Sequence, residues 1–158
     1  LAAEFGYQTV IDDAQDAHYL LDELAEAKVT VLLGAPSATT VSGSAARDGA
    51  DPRGATGPML EQRKVPFVIT TGSNTQALDL VREAMFATRN GVSRSMAIDA
   101  VTILPAVLLG IDDRVGSLAA GKDADFVVWS HDPLDPAATA ESVHIDGNPV
   151  HTSRDSSR

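Results

Sequence analysis

Residues 102–150 constrain the fold of this chain more than any other stretch. They read TILPAVLLGIDDRVGSLAAGKDADFVVWSHDPLDPAATAESVHIDGNPV. A helix ends in a Pro-containing segment and is stopped by Leu109-Gly110. A Gly-Ser-Leu turn and a Gly-Lys-Asp-Ala-Asp turn follow. An apolar strand, FVVW, then runs into Asp132-Pro133-Leu134, and a last strand ends at Asp146-Gly147. Short strands between Gly, Asp and Pro turns are a β element, set apart from whatever precedes them.

Upstream the pattern changes to alternating strands and helices. Gln8–Ile11 is a short β-prone run. A helix is predicted from about Ala14 to Ala27, because Ala17, Leu20, Leu21, Leu24 and Ala25 recur at helical spacing. Asp12 or Asp13 caps its start. Val29–Leu33 is a continuous apolar run stopped by Gly34, as in a parallel strand covered on both faces. Residues 34–57 are rich in Ala, Ser, Thr and Gly and are read as an insertion loop, either a disordered insertion or a functional loop. Pro58–Lys64 is a short helix, Val65–Thr71 the next strand, and Gly72-Ser73-Asn74 the turn into a helix over Thr75–Arg89. Asn90-Gly91 ends that helix. Ser93 caps a further one through about Val101, and Pro105 opens a short helical turn ending at Gly110. Strands are expected near Phe126–Trp129 and Val143–Ile145. The alternating part argues for a parallel α/β sheet.

The 158 residues suffice for one domain with a core. A net charge of −10 and the lack of a basic patch argue against nucleic acid as a partner. No apolar run approaches the length of about 18 residues needed to span a membrane. Cysteine is absent, which removes disulfide and thiolate chemistry and leaves the compartment open. A soluble chain is expected, with the cytoplasm favoured.

The segments TILPAVLLG, GSLAAGKDADFVVW and DGNPV resemble the C-terminal end of the amidohydrolase superfamily, close to its imidazolonepropionase-like metal-dependent hydrolases. The resemblance extends over about residues 1–150 and lapses in the 34–57 stretch. It implies an α/β fold: the C-terminal part of a (β/α)8 TIM-type barrel over residues 1–110, strands of a small β-sandwich over 111–150, and a flexible tail over 151–158. A complete barrel needs about 250 residues, so a fragment or split subunit is expected. The raw edges of an arc of three parallel strands call for further strands. The implied partner is a polypeptide carrying the rest of the barrel, in an oligomeric assembly.

The resemblance also implies site positions. Family members hold one or two divalent metals at the C-terminal ends of the barrel strands, where the metal acidifies a bound water and an aspartate takes its proton. In VIDDAQDAHYLLDEL the family's histidine position falls on Asp13. A carboxylate is able to bind zinc, and it also caps a helix. In FVITTGSN the position of the catalytic aspartate falls on Gly72, which has no side chain. Ser73 and Asn74 follow it and are poor bases, better suited to capping or to a substrate loop. Leu104 stands where the family usually has Asn before Pro105. His18, His131, His144 and His151 match no ligand position and are read as surface residues. The Gly121–Asp125 turn lacks the phosphate-loop pattern, and Asp125 is expected to fix it by backbone hydrogen bonds. Asp112-Asp113 is read as a solvated turn.

Two functions therefore compete. In one, the chain is a scaffold with a degenerate metal site. In the other, it closes an active hydrolase of amide or cyclic amide C–N bonds whose other ligands lie on the missing half. Alone, the chain is expected to bind no cofactor and to be inactive, with zinc or a similar divalent ion confined to the assembly.

Overall fold

Three short strands build one sheet and three later strands another. The computed structural model describes residues 2–12, 14, 16–34, 52–71 and 80–153. They form two compact units, Leu1–Val101 and Thr102–Arg158.

The first unit is built from α1 (Ala2–Phe5), β1 (Val10–Ile11), a 3-10 turn (Ala17–Tyr19), α2 (Leu21–Ala27), β2 (Thr30–Gly34), α3 (Pro52–Gln62), β3 (Phe67–Thr70), α4 (Leu80–Arg89) and α5 (Arg94–Asp99). The strands pair in parallel in the order β1-β2-β3. Thr30 lies beside Val10, Val31 beside Phe67 and Gly34 beside Thr70. Val31, Leu60, Phe67, Ala84, Ala97 and Ala100 are fully buried and centre the core. Continuous apolar strands covered by βα helices are what parallel pairing requires.

The structure departs from the sequence pattern at two places here. The helix over Ala14–Ala27 is broken: Leu20 (φ −126°, ψ 29°) separates the 3-10 turn from α2. Helix α3 begins at Pro52, inside the stretch that composition marks as loop, and residues 35–51 lie outside the described residues. The reason is close packing. Thr56 is fully buried, and a Cβ on Gly57 would stand 2.8 Å from Val92 Cγ2 and 3.3 Å from Leu33 Cδ2. A helix that docks through small residues carries no apolar stripe for a pattern to detect.

Helix exits follow one design. After α3, Val65 N donates to Leu60 O and Lys64 N to Glu61 O, both at 3.0 Å; after α4, Val92 N donates to Ala87 O at 3.1 Å. These are bonds of the kind that end helices through a left-handed residue, with an aliphatic residue turning inward behind it. Gly91 takes the left-handed place after α4, but Lys64 takes it after α3 at φ 56°. A left-handed non-glycine residue costs about 1 kcal/mol or slightly more. Lys64→Gly is therefore expected to raise stability by about 1 kcal/mol, read as a higher urea midpoint at unchanged slope. Ser93 caps α5, its Oγ accepting from Met96 N at 3.2 Å, while its own N–H donates to Glu61 Oε2 on α3 at 2.9 Å.

The second unit holds α6 (Ile103–Leu109), β4 (Phe126–Trp129), β5 (Ala140–Ile145) and β6 (Asn148–Thr152). Its strands form an antiparallel sheet in that order. Helix α6 falls in the same compact unit as this sheet, whereas the family resemblance divides the chain after residue 110. The turn at Gly116 packs directly on it, within van der Waals reach of Thr102 O, Ile103 Cα and Ala106. Strand β6 extends the chain beyond the predicted last strand, and His151 lies in it rather than in a tail. The turn responsible is Asp146-Gly147, with φ values of 49° and 76°, the geometry of a tight hairpin turn whose twist matches paired strands. The unit has little interior of its own. Among its described apolar residues only Ala106 and Leu134 are buried, while Val127, Val128, Ile145 and Val150 remain 39–58% exposed.

Candidate functional site

Parallel α/β units place working groups where strands end, since the connections leave there and the following helices point their N-termini at the same edge. In the first unit this edge follows Ile11, Gly34 and Thr70. Asp12 is exposed directly after β1, and Thr70 and Thr71 are half-buried at the end of β3. Gly34 lies in register beside Thr70. Asp13, Gly72, Ser73 and Asn74 fall outside the described residues, as does most of the 34–57 stretch.

His18 is the titratable group that sequence reasoning missed. It sits on the 3-10 turn in the connection from β1 to α2. Its ring is half-buried, not a surface group, and Nδ1 stands 3.3 Å from Oγ1 of the fully buried Thr56. Tyr19 leans on it with ring centroids 4.1 Å apart. A threonine hydroxyl both donates and accepts, so the pair is compatible with either ring tautomer. The contact ties the first βα connection to the helix that follows the second strand. Its one sequence signal is position, a histidine shortly after a strand in a βα connection. Its partner is distant in the chain.

The groups at this edge can hydrogen-bond a polar ligand through the Asp12 carboxylate, the threonine hydroxyls and the imidazole. Among the described residues no three His, Cys, Asp or Glu side chains stand together as an ion's ligands would.

The other histidines lie in the second unit. His131 is exposed, with Nδ1 3.0 Å from Ser130 Oγ, and His151 is exposed on β6. His144 is half-buried on β5, stacked on Phe126 at 4.3 Å, with Nε2 3.1 Å from Ser142 Oγ. The Gly121–Asp125 turn is structural. Lys122 Nζ donates to Asp112 O and to Ser117 Oγ, and Arg114 Nη2 donates to Asp123 Oδ2 at 2.6 Å. The hydrogen bond and charge of Asp123 hold Arg114 above its ordinary pKa, with smaller help from Asp113 and Asp146. Asp125 braces a different turn from the one expected: its Oδ1 accepts from Asp146 N at 2.9 Å, pinning the β5–β6 hairpin. Asp112 and Asp113 are exposed, as expected of a solvated turn. No helix of the described residues is long and apolar enough to cross a membrane.

Comparison with known proteins places these features. Residues 14–155 match the model of the amidohydrolase family. An imidazolonepropionase of Shewanella frigidimarina is 40% identical over 91 residues, covering 55% of this chain and 22% of that protein. The amidohydrolase tasK of Hapsidospora irregularis is 38% identical over 92 residues, covering 58% of this chain and 9% of its own length. Among solved structures, an amidohydrolase from Thermotoga maritima superposes with a TM-score of 0.80 at 33% identity, over 96% of this chain and 39% of that one. The chain thus spans well under half the length of each of these relatives.

Proposed function

Because the chain belongs to the amidohydrolase family, we propose that it forms the closing wall of an amidohydrolase-like barrel with a degenerate metal site, and that its role is structural within a larger assembly. The rest of the barrel is carried by a partner polypeptide. The observation that supports this most is the donor set at the strand ends. The positions that the family resemblance assigns to a histidine ligand and to the catalytic aspartate hold Asp13 and Gly72, and the described residues around them supply no other cluster able to hold an ion. Glycine neither ligates nor accepts a proton. Ser73 and Asn74, which follow it in sequence, are poor bases. The second unit contributes strands of a small sandwich, a reading supported by the exposure of its valines on a sheet with almost no interior.

A second reading has one observation in its favour. His18 is positioned by Thr56 in the connection after β1, where a barrel enzyme keeps working groups. There the assembly would hydrolyse amide or cyclic amide C–N bonds, with most metal ligands on the partner and Asp13 as a ligand from this chain.

Native mass spectrometry of the assembly, with metal content measured on the same sample, separates the two. The scaffold reading expects a second polypeptide, no stoichiometric zinc or similar ion, and an Asp13→Ala variant that assembles like the parent. A stable lone chain carrying one equivalent of divalent metal overturns it. So does loss of bound metal or of turnover when Asp13 is replaced.

A further inference from the structure

We infer that Asn90 is a self-modification site, an asparagine that cyclises onto the backbone nitrogen of Gly91, and that the C-terminal cap of α4 sets how fast it does so.

The sequence supplies the reactants. The backbone nitrogen after an asparagine can attack the side-chain carbonyl carbon and close a cyclic imide. A side chain on that following residue hinders the approach, and glycine has none. The chain has three asparagines, Asn74, Asn90 and Asn148. Asn148 precedes Pro149, whose nitrogen has no hydrogen to give up. Asn74 precedes the β-branched Thr75. Asn90 alone precedes a glycine.

In the folded chain both reactants are engaged elsewhere. Gly91 N donates to Thr88 O at 3.0 Å, and Asn90 Nδ2 donates to Phe86 O at 2.8 Å. Val92 N donates to Ala87 O at 3.1 Å, and the Val92 side chain is buried behind it. The Gly91 and Val92 bonds are the paired closure that ends a helix through a left-handed residue. Attack needs the Gly91 nitrogen freed from Thr88 and the Asn90 side chain swung away from Phe86. Both follow from opening of the last turn of α4, a local event of the kind that precedes global unfolding. Asn90 is half-buried and Gly91 exposed, so water reaches the pair once the turn opens.

The step balances with water as its one co-reactant and transfers no electrons. The Gly91 nitrogen bonds to Asn90 Cγ, and its proton leaves with the amide nitrogen as ammonia. Water then opens the imide. Cleavage at the side-chain carbonyl leaves aspartate, and cleavage at the backbone carbonyl leaves isoaspartate, with the main chain routed through the side-chain carbon. The two products act differently on the fold. Aspartate adds a negative charge at the negative end of the α4 dipole, where the neighbouring Arg89 offsets it. Isoaspartate also lengthens the backbone by a methylene. Gly91 already runs close to α3, since a Cβ on it would stand 3.3 Å from Pro58 Cγ. The longer link therefore displaces the turn and breaks the bonds to Thr88 and Ala87. The cap does not re-form, and the change is one-way.

The test ages the full chain at mildly alkaline pH, folded and in urea, and maps peptides for aspartate and isoaspartate, the latter by enzymatic methylation of its free carboxylate. Asn90 should carry most of the product. The product should form at least about tenfold more slowly in the folded chain than in urea, equivalent to an opening cost of about 1.4 kcal/mol or more. Val92→Ala keeps the reacting pair and loosens the cap, so it should speed the reaction several-fold in the folded chain and leave the rate in urea unchanged. Should that variant fold poorly, hydrogen exchange of the Gly91 amide in the parent chain reads the same opening. Its rate and the Asn90 rate should then rise together as urea is added below the unfolding transition. Product at Asn74 in place of Asn90 makes the site wrong and overturns the inference. Equal rates in the folded chain and in urea, or Gly91 exchange that rises while the Asn90 reaction does not, would show that the cap is not the gate and overturn it as well.

Discussion

Phe67→Ala is expected to lower the stability of the parallel unit by about 3–5 kcal/mol, the range for removing a buried aromatic ring from a core. Phe67 is fully buried on β3, in register with the equally buried Val31 on β2. Truncation loses the burial of the ring and leaves a cavity that strands locked in a ladder cannot collapse to fill. Phe86, 43% exposed on α4, is the matched control, and Phe86→Ala should cost about 1 kcal/mol or less. Urea midpoints at constant slope measure both. Equal shifts for the two variants would show that β3 is not the centre of the core.

The second large effect is expected in the other unit. Gly116 has φ +84°, and a Cβ there would stand 2.8 Å from Ala106 Cβ, 2.9 Å from Ile103 Cα and 2.9 Å from Thr102 O. Two of these neighbours are backbone atoms of the start of α6 and its cap, so they cannot rotate aside. Gly116→Ala therefore combines backbone strain with overpacking, at a combined cost of about 2–4 kcal/mol. Gly121, at φ +90° with nothing within 4 Å of its missing Cβ, carries the strain alone, so Gly121→Ala should cost only about 1–2 kcal/mol. The difference between the two thermal midpoints isolates the close approach of the turn to α6. Indistinguishable midpoints would mean that the turn does not rest on the helix.

Much of the fold was legible because local chemistry and tertiary environment agree. The runs VTVLL and VPFVIT are continuous apolar stretches, and they are the two buried parallel strands. Ser93, Asn90-Gly91 and Gly110 announce helix boundaries by mechanisms that act within a few residues, and the structure uses each of them. Legibility failed where the deciding partner is remote or the signal is small. Helix α3 starts early because Thr56 and Gly57 meet Leu33, Val92 and the 3-10 turn, which composition cannot express. Strand β6 was missed although Asp146-Gly147 is a strong hairpin signal, because the pair was read as an end rather than as a turn. His18 was read as a surface group because nothing near it in sequence predicts Thr56. At the candidate site, the family resemblance rather than any spacing of residues supplies the positions of Asp13, Gly72, Ser73 and Asn74. The barrel and sandwich expectations likewise come from that resemblance, and the structure adds the parallel arc and the antiparallel sheet as separate units.

The small-residue face of α3 has a thermal consequence. Contacts made by long side chains freeze rotamers, and that entropic penalty grows in proportion to temperature. Ala55 and Gly57 have no rotamers to freeze, and Thr56 has few. The contact is weaker per residue than an aliphatic one, but it gives up less on heating. Within α3, the turn that carries Ala55–Gly57 should accordingly hold its place to higher temperature than the turn that buries Leu60, which gives up rotamers as Leu24 does on α2.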